Sequence, residues 1–153
     1  MPHNLNDPSP DWLARLHARA FRGQRPWSAD EFRNLLDSPH VFLSAHPHGF
    51  ALGRVIADEA ELLTLAVDPE LRRQGTGRAC LTGFCDTARA RAATTAFLEV
   101  AADNAAAIAL YKTAGFALTA IRRAYYKRQN APDVDALVMT LSLAQPAQTL
   151  RPR

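Results

Sequence analysis

The stretch that decides the fold is LLTLAVDPELRRQGTGRAC, residues 62–80. Its first six residues, 62–67, form a nearly continuous apolar run, which is typical of a strand covered on both faces. Asp68-Pro69 ends that strand, because proline lacks the amide that a neighbouring strand would bind. The glycine-bearing loop 72–77 then precedes a helix predicted from about Arg78 onward.

A loop of this kind predicts anion binding. The first amides of a helix have no partner within the helix and lie at the positive end of its dipole. Gly75 and Gly77 allow the backbone to approach a phosphate closely, and Arg72, Arg73 and Arg78 add positive charge. An ordinary strand–helix turn with solvated arginines stays an alternative at this point.

Two well-known phosphate loops can be compared with residues 72–77. The Walker loop does not fit, because no Gly-Lys-Ser/Thr follows. The dinucleotide fingerprint fits in part: Gly75 and Gly77 match, but Cys80 occupies the place of the third glycine. Glu99 could then serve as the acid that binds a ribose. A nucleotide-dependent oxidoreductase is therefore kept as an alternative.

Composition sets broad limits on the protein. A chain of 153 residues with 48% hydrophobic and 22% charged residues predicts one globular domain with a substantial core. No apolar run approaches the roughly 20 residues that cross a bilayer, and no signal-peptide core is evident, so we expect a cytoplasmic protein that binds no membrane. The net charge of +3 includes no long basic run, which argues against nucleic-acid binding.

The two cysteines do not indicate a metal site. Cys80 and Cys85 lie five residues apart on one predicted helix, on different faces, and their spacing matches no common ligand pattern. We therefore expect small core residues and no bound metal.

The remaining elements follow from periodicity and capping signals. Residues 1–10 read as a loose lead-in, 11–143 as a single domain, and 144–153 as a flexible tail. Ser28 with Glu31 predicts a capping box, Asn104 a helix cap, and Gly115 a left-handed helix end. The predicted helices are 11–21, 28–36, 78–91 and 105–113, and the predicted strands are 41–45, 50–57, 62–67, 94–100, 116–126 and 134–143.

Strand 94–100 follows a crossover helix, so it should lie parallel to strand 62–67. A crevice opens where such strands diverge at their carboxyl ends. Glu99, an acid within an apolar strand, is a candidate general base there, or else a solvent-facing glutamate. Tyr111, on the next helix, could reach the same crevice or be a half-buried core residue.

Three segments together resemble the GNAT acetyltransferases: LAVDPELRRQGTGRACL, LEVAADNAAAIALYKTAGF and IRRAYY. The resemblance covers roughly residues 60–141 and is closest to the bacterial ribosomal-protein-alanine N-acetyltransferases of the RimI type. It implies a mixed α/β fold flanked by helices. In that fold the sheet is mostly antiparallel, with a central parallel pair splayed at the cofactor site.

The resemblance also implies acetyl-coenzyme A as donor, with coenzyme A as product, and a role for each matching residue. Glu99 matches the catalytic base of the family and Tyr111 its general acid. The implied cofactor-binding residues are Leu65, Ala66 and Val67 for the pantetheine arm, Arg72, Arg73, Gln74, Gly75, Thr76 and Gly77 for the pyrophosphate, and Asn104 near the arm.

The implied acceptor is a primary amine. We favour the amino terminus of a protein, with a ribosomal protein among the candidates, over a small amine, a lysine side chain or a coenzyme A-binding module without turnover. Trp27, Tyr125 and Tyr126 are the expected acceptor-binding residues. The chain departs from the family in three places: residues 1–10 are a poor first strand, 22–25 form a basic turn, and Lys127 stands where relatives tend to have proline. The oligomeric state is left open.

Overall fold

The structure is a computed structural model that describes residues 8–21 and 24–144. Its helices are α1 (Pro10–Ala20), α2 (Ala29–Leu36), α3 (Thr76–Ala90) and α4 (Ala105–Thr113). Its strands are β1 (Val41–His46), β2 (Gly49–Ile56), β3 (Glu59–Val67), β4 (Thr95–Ala101), β5 (Ala117–Tyr126) and β6 (Val134–Ser142), and a single 3-10 turn spans Pro69–Leu71. The expectations for residues 1–7 and 145–153, and for Arg22 and Gly23, lie outside the described residues.

The six strands form one sheet in the order β1-β2-β3-β4-β6-β5. The β3–β4 pair is parallel, and the other four neighbouring pairs are antiparallel. The predicted mixed sheet with a central parallel pair is therefore confirmed. Most boundaries agree with the sequence to within about two residues. β3 begins three residues earlier than predicted, because Glu59, Ala60 and Glu61 pair with β2 across a tight turn.

The parallel pair separates halfway along its length. Pairing of β3 with β4 runs from Glu59 opposite Thr95 to Leu62 opposite Leu98 and then stops. Both strands continue, because each keeps its other neighbour: β3 pairs with β2 as far as Val67, and β4 pairs with β6 throughout. The carboxyl ends of β3 and β4 therefore turn unpaired backbone edges toward a gap.

Capping side chains fix the helices beside this gap. The predicted capping box is confirmed: Ser28 Oγ accepts from the Glu31 amide at 3.1 Å, and Glu31 Oε1 accepts from the Ser28 amide at 3.4 Å. Asn104 Oδ1 accepts from the Ala107 amide at 3.2 Å and begins α4, as predicted. Each such cap contributes about 0.5–2 kcal/mol.

Helices cover both faces of the sheet. On one face, α3 buries six side chains against the sheet, and α4 extends the same core with Tyr111. On the other, α1 and α2 pack Leu13, Leu16 and Phe32 against Phe50 of β2. The buried residues of α3 are Thr76, Cys80, Leu81, Phe84, Cys85 and Ala88. Burying a Leu or Phe side chain contributes roughly 1.5–3 kcal/mol, so both layers hold the gap in place.

Candidate active site

A cavity of about 540 Å³ lies between the end of β3, the loop before α3, and α4. Eight of the ten residues predicted to bind the cofactor line it: Leu65, Val67, Arg72, Arg73, Gly75, Thr76, Gly77 and Asn104. Ala66 does not, because its side chain is buried in the core beneath α1 and α2. The exposed side chain of Gln74 does not line the cavity either. Because most of the predicted cofactor-binding residues line this space, we call it the cofactor-side cavity.

The loop that opens α3 has the conformation of an anion-binding turn. Gly75 is the N-cap residue and is left-handed, with φ +80°, and Arg73 is also left-handed, with φ +67°. The cap supplies no side-chain hydrogen bond to the first amides of α3. Those amides lie at the positive end of the helix dipole, so they are available to an anion.

Helix α4 forms the opposite wall, which sequence reasoning missed. Small side chains at Ala106, Ala107 and Ala109 line the cavity and leave it open. Leu110 comes close to Gly77: a Cβ added to that glycine would lie 3.1 Å from Leu110 Cδ2. The run of alanines after Asn104 was the available signal, because small residues on a helix permit close approach of a ligand.

A smaller cavity of about 150 Å³ lies in the gap between β3 and β4. It brings together Glu99 and Tyr111, the predicted catalytic pair, with Trp27 and Tyr126, two of the three predicted acceptor-binding residues. His17 joins them. We call this space the reaction chamber. It shares Phe21, Leu65, Asn104 and Ala107 with the cofactor-side cavity, so the two spaces adjoin.

Glu99 is held in the chamber by its strand. It follows Leu98, the last β4 residue that pairs with β3, so its side chain stands where the gap begins. Its Oε1 lies 3.0 Å from Arg122 Nε of β5, and its side chain is 23% exposed. The ion pair with Arg122 fixes the position of the Glu99 carboxylate in the chamber.

The two phenols in the chamber remain protonated. Tyr111 is buried, its ring meets Phe116 edge to face at 5.9 Å, and burial raises the pKa of its hydroxyl well above the ordinary value. Burial also raises the pKa of Tyr126 to about 12, and the charge of Glu99 adds to that shift. Both hydroxyls are therefore proton donors near neutral pH.

His17 is the functional candidate that the sequence did not reveal. It is 4% exposed and stacks on Phe21 and Trp27, with ring centroids 4.5 Å and 5.1 Å away. Its Nδ1 accepts a hydrogen bond from the Trp27 amide at 3.2 Å, so the neutral ring carries its proton on Nε2. Desolvation lowers the pKa of His17 to about 4. Its spacing from Leu13 and Phe21, four residues each way, was the signal for the buried face of α1.

Tyr125, the third predicted acceptor-binding residue, does not line the chamber. Its side chain is 48% exposed, and the Arg122 guanidinium lies 5.2 Å from its ring centroid. The β5–β6 register shifts between Arg122 and Tyr126, and Ala124 is left-handed, with φ +51°. Consecutive side chains of a strand point to opposite faces, so Tyr125 does not follow Tyr126 into the chamber, although the two rings meet edge to face with centroids 5.3 Å apart.

Cys80 and Cys85 are free and buried in the core, as their spacing predicted. Burial raises the pKa of Cys80 to about 11, so this thiol is un-ionised. Within residues 8–21 and 24–144 there is no group of three or more His, Cys, Asp or Glu side chains that could hold a metal ion. In the same ranges no helix is long and apolar enough to span a membrane.

Comparison with known proteins identifies the class of this chain. Residues 5–116 match the acetyltransferase (GNAT) family. The chain belongs to the GNAT family and is an acyl-coenzyme A-dependent N-acetyltransferase. The nucleotide-dependent oxidoreductase considered from the glycine pattern is thereby set aside, since the loop serves a different fold.

The particular relatives are N-terminal acetyltransferases. The chain is 40% identical over 138 residues to the [ribosomal protein bS18]-alanine N-acetyltransferase of Escherichia coli K12, covering 88% of this chain and 93% of that protein. It is 36% identical over 143 residues to the N-alpha-acetyltransferase RimI of Mycobacterium tuberculosis, covering 88% and 87%. The crystal structure of the E. coli ribosomal-protein-S18-alanine N-acetyltransferase superposes with a TM-score of 0.78, at 36% identity and 90% coverage of both chains.

The site fits acetyl-coenzyme A, the donor that GNAT enzymes use. The uncapped start of α3 suits the diphosphate, because its amides and the neighbouring Arg72 and Arg73 favour an anion. The unpaired edge at the end of β3 suits an extended chain of amides, which can pair with it as a further strand would. A volume of about 540 Å³ lies within the range of small-molecule sites.

The buried His17 predicts a pH dependence of stability. Its pKa falls from 6.5 to about 4 on folding, so the unfolded chain binds the extra proton between these values. The contribution is fully present above pH 6.5 and is lost as pH falls toward 4. Between pH 7 and pH 5 we expect a loss of about 2 kcal/mol in the free energy of unfolding.

Urea denaturation of wild type and His17→Asn at pH 7, 6 and 5 measures this loss. Asparagine keeps an oxygen that can accept a hydrogen bond from the Trp27 amide, but it does not titrate. The contribution of His17 to the pH dependence of the free energy of unfolding should therefore vanish in this variant. Equal slopes for the two proteins would show that another group carries the dependence.

Proposed function

We propose that this enzyme acetylates the α-amino group at a protein's amino terminus, with a small first residue, alanine before others. The shape of the reaction chamber carries the proposal. The side chains of Phe21, Gln24 and Trp27 form one wall and Tyr126 another, and the space of about 150 Å³ between them contains Glu99. A narrow two-walled chamber admits a flexible chain end more readily than a lysine on a folded surface. The activities named for the relatives support the same choice.

The cofactor-side cavity is proposed to hold acetyl-coenzyme A. The first amides of α3, with Arg72 and Arg73, bind the diphosphate, and the free edge of β3 at residues 65–67 binds the pantetheine arm. Asn104 has two functions in this proposal, because its side chain caps α4 and also lines the cavity beside the arm. When bound, the cofactor supplies the acetyl group as a thioester.

Glu99 is the proposed general base. An α-amine has a pKa of about 8 and is largely protonated near neutrality, so a base must remove a proton before the nitrogen can attack. The pairing with Arg122 fixes the orientation of the Glu99 carboxylate. The carboxylate accepts the proton directly or through a water molecule.

Tyr111 is the proposed general acid, and a backbone amide near Val67 is the proposed donor to the acyl oxygen. The raised pKa keeps Tyr111 protonated until a developing thiolate faces it. Tyr126 also carries a proton in the chamber, and we assign it to binding the acceptor's peptide backbone. His17 is a neutral residue that holds Trp27 in the acceptor wall, and its engaged Nδ1 makes it unsuitable as a base.

The structure revises the expected charge of the acceptor walls. Free positive charges at the basic turn and at Lys127 would favour a neutral or acidic acceptor sequence after the first residue. Arg25, however, forms two bonds with Glu31, at 2.6 Å and 3.1 Å, and Lys127 lies 2.8 Å from Asp133. Arg22 lies outside the described residues. These side chains therefore give no reason to expect a charge preference, and we propose none.

Cofactor binding through the α3 loop is tested with Gly77→Asp. The new carboxylate would stand beside Leu110 and repel the diphosphate, so we expect affinity for acetyl-coenzyme A to fall at least about 100-fold. Gly77→Ala is the matched control: Leu110 needs to move by only a few tenths of an ångström, and affinity should stay within about tenfold. Calorimetry on both folded variants decides, and unchanged affinity in Gly77→Asp would place the diphosphate elsewhere.

Proton transfer is tested with Glu99→Gln and Tyr111→Phe. Each change keeps shape and removes the acid–base function, so turnover should fall about 10²–10⁴-fold for Glu99→Gln and clearly for Tyr111→Phe, while cofactor affinity stays near wild type. Glu59→Gln, the same change at the exposed start of β3, is the control. If both variants stay within about twofold of wild type, the proton is handled by other groups.

The acceptor class is tested with a peptide panel in which thiol release reports turnover. One series varies the first residue, and a second has a blocked terminus and one internal lysine. We expect peptides that begin with alanine to exceed those that begin with phenylalanine at least about tenfold in kcat/KM, because the chamber is small. Faster turnover of the blocked lysine peptides would overturn the amino-terminal assignment, and no turnover of any acceptor would favour a binding module.

A further inference from the structure

A third cavity, of about 440 Å³, lies next to the reaction chamber. We call it the outer cavity. The end of α1 and the residues after it, including Arg19, Phe21 and Gln24, line one side, and Asp103 and Arg128 line another. It shares four residues with the chamber: Phe21, Gln24, Ala101 and Asn104. An acceptor whose first residue occupies the chamber would therefore continue into the outer cavity.

Arg128 is the unusual residue of this cavity. Its side chain is only 14% exposed, whereas that of the neighbouring Lys127 is 81% exposed. Arg128 Nη2 lies 3.0 Å from Asp103 Oδ1, and the guanidinium carbon lies 5.7 Å from the Tyr126 ring centroid. Nη1 is buried and has no hydrogen-bond partner, the only such side-chain nitrogen or oxygen in the part of the chain that the structure describes.

A buried N–H without a partner is unfavourable, because folding removes its water without replacing the hydrogen bond. A guanidinium is always charged and offers five N–H donors in a fixed plane, and Asp103 Oδ1 accepts one hydrogen bond from Nη2. The neighbouring cation, Lys127, gives no similar observation, because its ammonium group forms an ion pair with Asp133 at the surface. The free donor of Arg128 thus points to a group that arrives with a ligand.

We propose that Arg128 Nη1 donates a hydrogen bond to a main-chain carbonyl oxygen of the acceptor, at its second or third residue. The inference rests on the proposed amino-terminal function and adds a subsite to it. A neutral carbonyl suits the position, because Asp103 already balances the charge of the Arg128 guanidinium and only a hydrogen-bond acceptor is lacking at Nη1. A carbonyl occurs in every peptide, so the contact recognises a chain rather than a particular side chain.

The same subsite distinguishes a protein terminus from a small amine. A small amine fills the chamber alone, whereas a peptide also satisfies Arg128. Lengthening an acceptor by glycine adds backbone and no side chain, so any gain in kcat/KM reports backbone contacts directly. Glycine-extended acceptors are therefore suitable probes for the carbonyl contact.

The test compares alaninamide, Ala-Gly-amide and Ala-Gly-Gly-amide as acceptors for wild type and Arg128→Gln, at saturating acetyl-coenzyme A. For wild type we expect kcat/KM to rise at least about tenfold along the series, the size of one good hydrogen bond to a charged group. In Arg128→Gln the gain should fall below about threefold, with the loss in KM. Lys127→Gln removes the adjacent charge and should keep the full gain.

Arg128→Lys provides a second variant that retains the charge but lacks the planar fork, and its gain should also be reduced. A full gain in folded Arg128→Gln, or wild type that acetylates alaninamide as well as the tripeptide, would overturn the subsite and leave the proposed function standing. If wild type acetylates none of the three acceptors, the proposed function itself fails, and the subsite fails with it.

Discussion

The parting of β3 from β4 after the Leu62–Leu98 pair is the constraint on which the site depends. Parallel strands that stay paired along their whole length leave no free edge between them. β3 and β4 separate, but each keeps an antiparallel neighbour on its other side, β2 for β3 and β6 for β4. The gap between them can therefore persist without unfolding either strand. The gap leaves an unpaired backbone edge on β3, and it places Glu99 of β4 at the point where the two strands part. In the proposed mechanism, the same geometry provides both the place for an extended cofactor arm and the position of the general base.

Burial on the acceptor side sets the protonation of the surrounding groups. Desolvation keeps Tyr111 and Tyr126 protonated and keeps His17 neutral, while Glu99 forms an ion pair with the exposed Arg122. The chamber thus contains one carboxylate, Glu99, beside two protonated phenols. The proposed transfer of protons from the amine and to the sulfur requires such a pairing of a base with an acid. The stacked rings of Phe21, His17 and Trp27 join the end of α1 to the acceptor wall, so the wall is part of the hydrophobic layer that packs on β2 and β3.

The sequence predicted most of the fold, including the glycine-bearing loop before α3, because the signals there are local. Proline ends the strand and glycine marks the loop, and capping residues mark the starts of α2 and α4. The helical spacing of apolar residues determines which side chains of α3 are buried. Glu99 was recognisable as an acid within an apolar strand. His17 and Arg128 were not, because their importance comes from contacts with Trp27 and Asp103, 10 and 25 residues away. Tyr125, expected with Tyr126 from the family resemblance, does not line the chamber, because adjacent residues of a strand point to opposite faces.

The central claim is that the free edge of β3 and the start of α3 together hold the coenzyme. Hydrogen exchange, followed by mass spectrometry with and without coenzyme A, tests it most directly. Amides in residues 63–67 and 74–79 should exchange at least about tenfold more slowly when coenzyme A is bound, because the coenzyme then accepts their hydrogen bonds or shields them from water. Amides of β1, at the far edge of the sheet, should not change. Protection confined to β5 and β6, or none at residues 63–67, would contradict the account.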